Sequence, residues 1–267
     1  MAKLYIVATP IGNLNDVTYR AIETLKNCDL IACEDTRHTL ALLNRYEIKK
    51  PLYSYYKQKE KEGSVYIADA VESGKNVALV SDAGMPCVSD PGSVVVKEFL
   101  SRGLEYTVIP GASAVVCAAA LAGVEGPFTF LGFLPEKNKD RTDLLSRHKD
   151  TGATLIVYSA PHDINKIAQI LYENLGERKA FFVKEISKIY EKVREGNLSE
   201  MREEDPKGEY VIVVEPAKND AEATDEDIKI ALKDKINKGM DKKAAVLEIS
   251  TELKVPKNRV YKLSVEK

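Results

Sequence analysis

The sequence predicts an α/β fold: two α/β domains bordering a cleft, followed by a small helical module. Three observations lead there. Between Leu4 and Ile109, short apolar runs alternate with amphipathic helical stretches, the signature of a mostly parallel sheet with helices on both faces. The turns that close these runs carry glycine and proline at three separate places. After Pro216 the chain becomes polar, then basic, with apolar residues at helical spacing.

In the first domain, residues 1–112, Leu4 to Ala8 reads as a strand and Thr9 to Leu14 as a loop. Asp16 is expected to cap a helix whose apolar stripe is Val17, Ala21, Ile22 and Leu25. Leu30 to Cys33 is a second strand, ending in Glu34-Asp35-Thr36-Arg37-His38, after which a helix returns with Leu40, Leu43 and Tyr46. Tyr53 to Lys59 is an aromatic and basic segment before a helix near Val65 to Ser73. Val77 to Val80 is a buried strand that feeds the turn Ser81-Asp82-Ala83-Gly84-Met85-Pro86. A helix from Pro91 to about Arg102 follows, since proline suits the first helical position. Tyr106 to Ile109 is a strand closed by Pro110-Gly111-Ala112-Ser113-Ala114.

The second domain, residues 113–217, is expected to be α/β with antiparallel content. Its helices cover Ala114 to Ala122, Lys139 to Lys149 and Ile164 to Leu175. Its strands cover Phe128 to Phe133, Thr154 to Tyr158, Ala180 to Glu185, Tyr190 to Glu195 and Tyr210 to Val214, with a short helix near Leu198. Residues 218–267 make a linker and a three-helix, helix-turn-helix-like module. From Ile228 to Lys267 there are 11 Lys and Arg against 5 Asp and Glu, which suits an RNA contact, a solvated helical appendage or an oligomer contact.

Composition removes several classes. A net charge of −2 advertises neither nucleic acid nor a membrane surface across the whole chain, and no window is apolar enough to span a bilayer. The start reads as a strand rather than a signal peptide. Cys28, Cys33, Cys87 and Cys117 form no C-x-x-C pair and lie far in sequence from the three histidines, so neither a zinc site nor a disulfide framework is expected, and the cytoplasm is the expected compartment. No G-x-G-x-x-G follows the first strand and no Walker lysine occurs, which disfavours NAD enzymes and P-loop NTPases. Glycine turns at several strand ends can instead build a cleft between domains. Tyr55, Tyr56, Lys57 and Lys59 combine stacking faces with phosphate partners, or else cover a strand.

Four motifs then occur in order: Thr9-Pro10-Ile11-Gly12-Asn13-Leu14, Glu34-Asp35-Thr36-Arg37-His38, Ser81-Asp82-Ala83-Gly84 with Ser89-Asp90-Pro91-Gly92, and Pro110-Gly111-Ala112-Ser113-Ala114. Gly132 to Pro135, Ala160-Pro161-His162 and Lys207 to Val211 extend them. Together they resemble the bacterial 16S ribosomal RNA cytidine 2′-O-methyltransferases of the tetrapyrrole methylase superfamily. The chain departs from that pattern at Met85, Ala112, Ser159 and Asp163, where threonine, proline, an acidic residue and arginine are usual.

The resemblance implies S-adenosylmethionine in the inter-domain cleft, a homodimer, and methyl transfer to a ribose of 16S RNA, with the assembled small subunit as the expected partner. By motif position Pro10, Gly12, Asp82, Gly84, Met85, Ser113 and Ala114 would hold the cofactor, joined by Tyr158, Ile186, Gly208 and Tyr210 from the second domain. A ribose hydroxyl is a poor acid, so Glu34 or Asp35 is expected to accept its proton while Arg37 steadies phosphate or oxyanion charge; the competing reading is a helix cap with a surface arginine. Lys188, with Tyr55, Lys57, Lys257 and Arg259, completes the expected RNA contacts. A tetrapyrrole methylase, or a non-catalytic RNA-binding assembly factor, is the alternative.

Overall fold

The computed structural model describes residues 2–217, 224–253 and 255–265. Residues 1–216 form one compact unit and 217–267 a second.

The first five strands are β1 (Leu4–Val7), β2 (Leu30–Cys33), β3 (Leu52–Ser54), β4 (Val77–Val80) and β5 (Tyr106–Ile109). They form one sheet in the order β3-β2-β4-β1-β5, with every pairing parallel. All four residues of β2 and of β4 are buried, because central parallel strands are covered on both faces. On one face α1 (Tyr19–Asn27) and α2 (Thr36–Arg45) pack Leu25 and Leu43 against Val7, Ile31 and Val80. On the other α3 (Glu60–Glu72) and α4 (Ser93–Arg102) pack Ile67, Val95 and Phe99 against Leu4 and Leu79.

Three local expectations need correction. Asp16 lies in a 3-10 turn, and Thr18 caps α1 instead, its hydroxyl accepting the Ala21 N–H. The fourth helix starts at Ser93 rather than Pro91: Pro91 O accepts the Cys87 N–H at 3.3 Å, which spends the proline on closing the loop, and Gly92 at φ 140° becomes the cap. The aromatic and basic segment Tyr53 to Lys59, given no strand in the sequence reading, begins in β3, a three-residue edge strand too short to show periodicity.

The second sheet follows α5 (Ala114–Leu121). Its elements are β6 (Phe128–Phe133), α6 (Asn138–His148), β7 (Thr154–Ser159), α7 (Ile164–Leu175), β8 (Lys179–Lys184), β9 (Lys192–Asn197) and β10 (Tyr210–Val214). The order is β6-β7-β10-β8-β9, parallel at β6–β7 and antiparallel elsewhere. Alternate residues serve opposite faces. Val211 and Val213 meet α5, while Ile212 and Val214 meet the core under α6 and α7. The helix expected near Leu198 is a turn; Leu198 is buried and its N–H donates to Arg178 O at 2.9 Å.

The second unit holds α8 (Asp225–Asn237), α9 (Lys242–Glu252) and α10 (Lys257–Val265) around Ile228, Leu232, Val246, Ile249 and Val260. Thr224 and Asp227 form a reciprocal capping box at the start of α8. Most of the linker expected from Ala217 to Asp227 lies outside the described residues.

Candidate active site

Loops at the carboxyl ends of β1, β2 and β4 face the second sheet across a cleft of about 450 Å³. That volume falls within the range of small-ligand sites. The first sheet contributes Ile11, Glu34 and the stretch Asp82 to Asp90, and the start of α5 adds Ser113 and Ala114. The second sheet contributes Phe133, Tyr158 and its three successors, Ile186, and Glu209 to Val211.

The loop after β4 is fixed by backbone geometry. Thr9 and Gly84 exchange both N–H···O bonds, at 2.8 and 3.1 Å, so the loop after β1 is stitched to the loop after β4. Gly84 sits at φ 82°, and a Cβ there would lie 3.2 Å from the Ile11 side chain. Among the described residues, four of the five non-glycine residues at positive φ flank this cleft: Cys87 and Ser89 after β4, Glu185 and Ser187 after β8. Such conformations cost on the order of 1–3 kcal/mol each and persist where packing over-determines them.

Four carboxylates and no basic side chain line the cleft among the described residues: Glu34, Asp82, Asp90 and Glu209. Asp82 Oδ1 accepts the Asp35 N–H at 3.2 Å, and Glu209 pairs with the Lys188 ammonium at 2.9 Å. Burial, then Asp82, Asp90 and Glu60, pushes the Glu34 carboxyl up from its ordinary range. Burial raises Asp90 to about 6, the Ser81 hydroxyl opposing and Asp82 reinforcing the shift. Across the cleft Tyr158, packed edge-on against Phe130 and Phe133, is pushed up to about 12 by burial and then by Asp90.

Eight of the residues expected to hold a cofactor therefore line one cavity: Asp82, Gly84, Met85, Ser113, Ala114, Tyr158, Ile186 and Tyr210. Pro10 and Gly12 border an adjoining hollow of about 320 Å³, which shares Ile11, Asp82, Ala83 and Glu209 with the cleft and includes Lys188. Gly12 has no room for a side chain: a Cβ would lie 2.4 Å from Lys188 Cγ and 2.8 Å from Ile186 O. Gly208, at φ 80°, lies against the Glu185 carboxylate, which accepts the Glu209 N–H at 2.8 Å. It shapes the cleft from behind.

Of the expected catalytic trio, Glu34 lines the cleft, while Asp35 and Arg37 border neither hollow. Asp35 caps α2 by accepting the Arg37 N–H at 2.8 Å, and binds the Arg37 guanidinium at 2.8 and 3.2 Å. Those hydrogen bonds hold its carboxyl well below the usual range, which makes it a weak base. The Arg37 side chain is 89% exposed.

Tyr55 corrects an expectation outright. It is 1% exposed in the core of the first sheet, with its hydroxyl donating to Glu60, so it offers no face to a base. Lys57 is exposed on a 3-10 turn. Lys188 is half-buried between Glu185 and Glu209. In the second unit Lys257 is exposed at the start of α10, and Arg259 pairs with Asp225 at 2.7 Å. Asp90 and Phe133 line the cleft but carried no role in the sequence reading, and Glu209 lines it within the expected stretch Gly208 to Tyr210. The Ser89-Asp90-Pro91 order reads locally as a helix start, and only the loop closure at Pro91 turns Asp90 toward a site.

Comparison with known proteins follows the same lines. Residues 3–202 match the family of Tetrapyrrole (Corrin/Porphyrin) Methylases. The chain is 39% identical over 272 residues to "Ribosomal RNA small subunit methyltransferase I" of Bacillus subtilis, covering 98% of this chain and 93% of the relative. The protein so named in Thermotoga maritima is 41% identical over 219 residues, covering 80% of this chain and 98% of the relative. Among solved structures, the methyltransferase CobJ superposes with a TM-score of 0.65 at 18% identity, over 81% of this chain and 95% of that one. Diphthine synthase gives 0.65 at 15% identity, over 81% and 90%. Likeness at such low identity establishes the fold alone.

Proposed function

The chain belongs to the tetrapyrrole (corrin/porphyrin) methylase family, and on that premise we propose that it transfers a methyl group from S-adenosylmethionine to the ribose 2′ hydroxyl of a cytidine in 16S ribosomal RNA. It is an RNA methyltransferase: relatives named for that activity on the small subunit match it at about 40% identity over nearly its whole length. The observation that carries the cofactor is the cleft, which combines the carboxylates Glu34, Asp82, Asp90 and Glu209 with the aromatic and apolar side chains of Phe133, Tyr158, Ile186 and Tyr210. S-adenosylmethionine presents a sulfonium and an ammonium cation and one flat heterocycle, and this lining complements them.

Gly84, Met85, Ser113 and Ala114 would hold the donor from one side, and Tyr158, Ile186 and Tyr210 from the other. When bound, the donor supplies an already electrophilic methyl. The protein's part is orientation, exclusion of water and removal of one proton. Holding the acceptor oxygen in line is worth roughly 7–11 kcal/mol. Arg37, exposed at the start of α2 and steadied by Asp35, is suited to a phosphate of the RNA, since a helix N-terminus also attracts anions. Glu34 lies inside the cleft, where a carboxylate raised by burial makes a better base than Asp35.

A homodimer is supported by the apolar edge of the first unit: β5 and α5 leave Tyr106, Val108, Val116 and Leu121 exposed. The exposed lysines of α9 and α10, Lys242, Lys243, Lys257 and Lys262, support RNA contact by the second unit. Among the described residues no helix is long and apolar enough to cross a membrane; the substrate assigns the work to the cytoplasm.

The deciding experiment incubates purified protein with S-adenosylmethionine and 30S particles lacking ribose methylation, then reads digested 16S RNA by mass spectrometry. A 2′-O-methylcytidine appearing only with the protein is expected. Methyl groups arriving on a base or on a tetrapyrrole instead would overturn the assignment.

A further inference from the structure

The loop between β8 and β9, residues 185–191, fastens the second sheet to the first. The Ser187 hydroxyl donates to the Asp16 carboxylate, beyond β1. Ile186 O and the stem of Lys188 press so closely on Gly12 that a Cβ there would collide with both. Within the loop, the Ser187 N–H donates to the Glu191 carboxylate at 2.6 Å, the Lys188 N–H to Glu185 O at 3.0 Å and the Glu191 N–H to Lys188 O at 3.1 Å. These bonds hold Glu185 and Ser187 at φ 53° and 67°, a region that side chains disfavour. The loop is therefore stiff. It also borders both hollows, since Ile186 lines the cleft and Lys188 the hollow beside it.

Lys188, expected to contact RNA, has its charge answered inside the protein: its ammonium lies 2.9 Å from both Glu185 and Glu209. What the loop turns outward is apolar. Ile189 is 95% exposed and Tyr190 77%. Single exposed apolar side chains are ordinary. Here two stand in succession on a loop pinned at both ends, which cannot fold over to hide them, and they follow directly on a residue that lines a hollow.

We propose that Tyr190 is a substrate-binding residue: its ring stacks on a nucleobase of the RNA beside the ribose that receives the methyl group, and Ile189 packs against the same base. The inference rests on the assignment of an RNA ribose as the acceptor. A base suits this surface better than a protein does. The two side chains offer at most about 400 Å², against about 800 Å² on each partner of a stable protein interface. Along the chain the apolar pair ends at once, at charged Lys188 and Glu191. Stacking needs only one aromatic face, with a cation in reach of the backbone, and Lys192 is exposed at the start of β9. A stiff platform fixes the base, and through it the attached sugar, before the acceptor oxygen meets the donor, which is the kind of orientation that speeds a two-reactant step.

The chain has no tryptophan, so Tyr190→Trp adds a single indole. Its emission is followed as 30S particles are added, with the wild type titrated in parallel as the blank. Steady-state methyl transfer to the particles is measured for Tyr190→Trp, Tyr190→Phe, Tyr190→Leu and Tyr190→Ala. A stacked base is expected to quench the indole. Tyr190→Ala and Tyr190→Leu should lower kcat/KM for the particles roughly 5- to 150-fold, the loss of one stacked base. The phenylalanine and tryptophan variants should stay within threefold of wild type, and all four should bind S-adenosylmethionine as the wild type does in calorimetry. Transfer by Tyr190→Ala within twofold of wild type would sink the proposal, and so would leucine serving as well as phenylalanine. An indole shifted to the blue without quenching would put a protein on this surface in place of RNA. A fall in sedimenting mass for Tyr190→Ala without any RNA present would make that protein a second copy of the chain. A wild type that leaves the particles unmethylated would instead overturn the acceptor assignment, and this inference with it.

Discussion

At the scale of single residues, the cleft trades stability for chemistry. Asp90 is pushed up from an ordinary 3.8 to about 6, so the folded chain holds its proton more tightly than the unfolded chain does. Stability therefore falls as pH rises from about 4 to about 6, and the loss persists above that window. Asp90→Asn removes the charge and keeps the shape. It is expected to stabilise the protein at pH 7 by on the order of 1 kcal/mol, a figure discounted because the group is partly exposed. At pH 4 the variant and the wild type should coincide. Urea denaturation at the two pH values checks this, and equal stabilisation at both would remove the burial argument. Tyr55 teaches the opposite lesson: a tyrosine beside two lysines looks like a stacking platform in sequence, and is core in the fold.

At the scale of elements, the sites are made by how strands end and helices begin. Asp35 ends the β2 loop and begins α2, and its one carboxylate serves as helix cap and as partner of Arg37. Capping by Asp, Asn or Ser is worth about 1 kcal/mol over alanine. Asp35→Ala should lose about that much stability in chemical denaturation, and Asp35→Ser should recover most of it. Both should bind S-adenosylmethionine as the wild type does, because Asp35 lies outside the cleft and only its N–H touches Asp82. Both should lose affinity for 30S particles, since neither side chain steadies the Arg37 guanidinium. Recovery of particle binding in Asp35→Ser would reduce the residue to a cap. The positive-φ residues after β4 and β8 belong to this scale too: strain is concentrated in the two loops that close on the cleft from opposite sheets.

At the scale of the whole molecule, the labour divides at Pro216. The first unit contains both sheets and the entire cleft. The Thermotoga maritima relative is matched over 98% of its length by 80% of this chain, so a protein carrying that name is about the size of the first unit alone. Truncation after Pro216 should leave the dissociation constant for S-adenosylmethionine within about threefold, measured by calorimetry. It should weaken association with 30S particles and flatten its dependence on salt, because each lost phosphate contact removes roughly 0.9 from the slope of log K against log salt on a duplex. An unchanged salt slope would show that the basic helices α9 and α10 leave RNA untouched.

The sequence by itself determined the class of fold, nearly every strand of both sheets, the three-helix tail, and the motifs that carry the family. These are written in local periodicity and in glycine turns, which depend on neighbours along the chain. It could not show β3, whose three residues are too few for a pattern, nor the true start of α4, which depends on a loop closing back on Pro91. Tertiary structure alone decided which acids share one space. Glu34, the loop that carries Asp82 and Asp90, and Glu209 are far apart in the chain and meet only because parallel strands end at one edge while the second sheet stands opposite. Desolvation and mutual repulsion act through that space, and no spacing rule along a sequence records them.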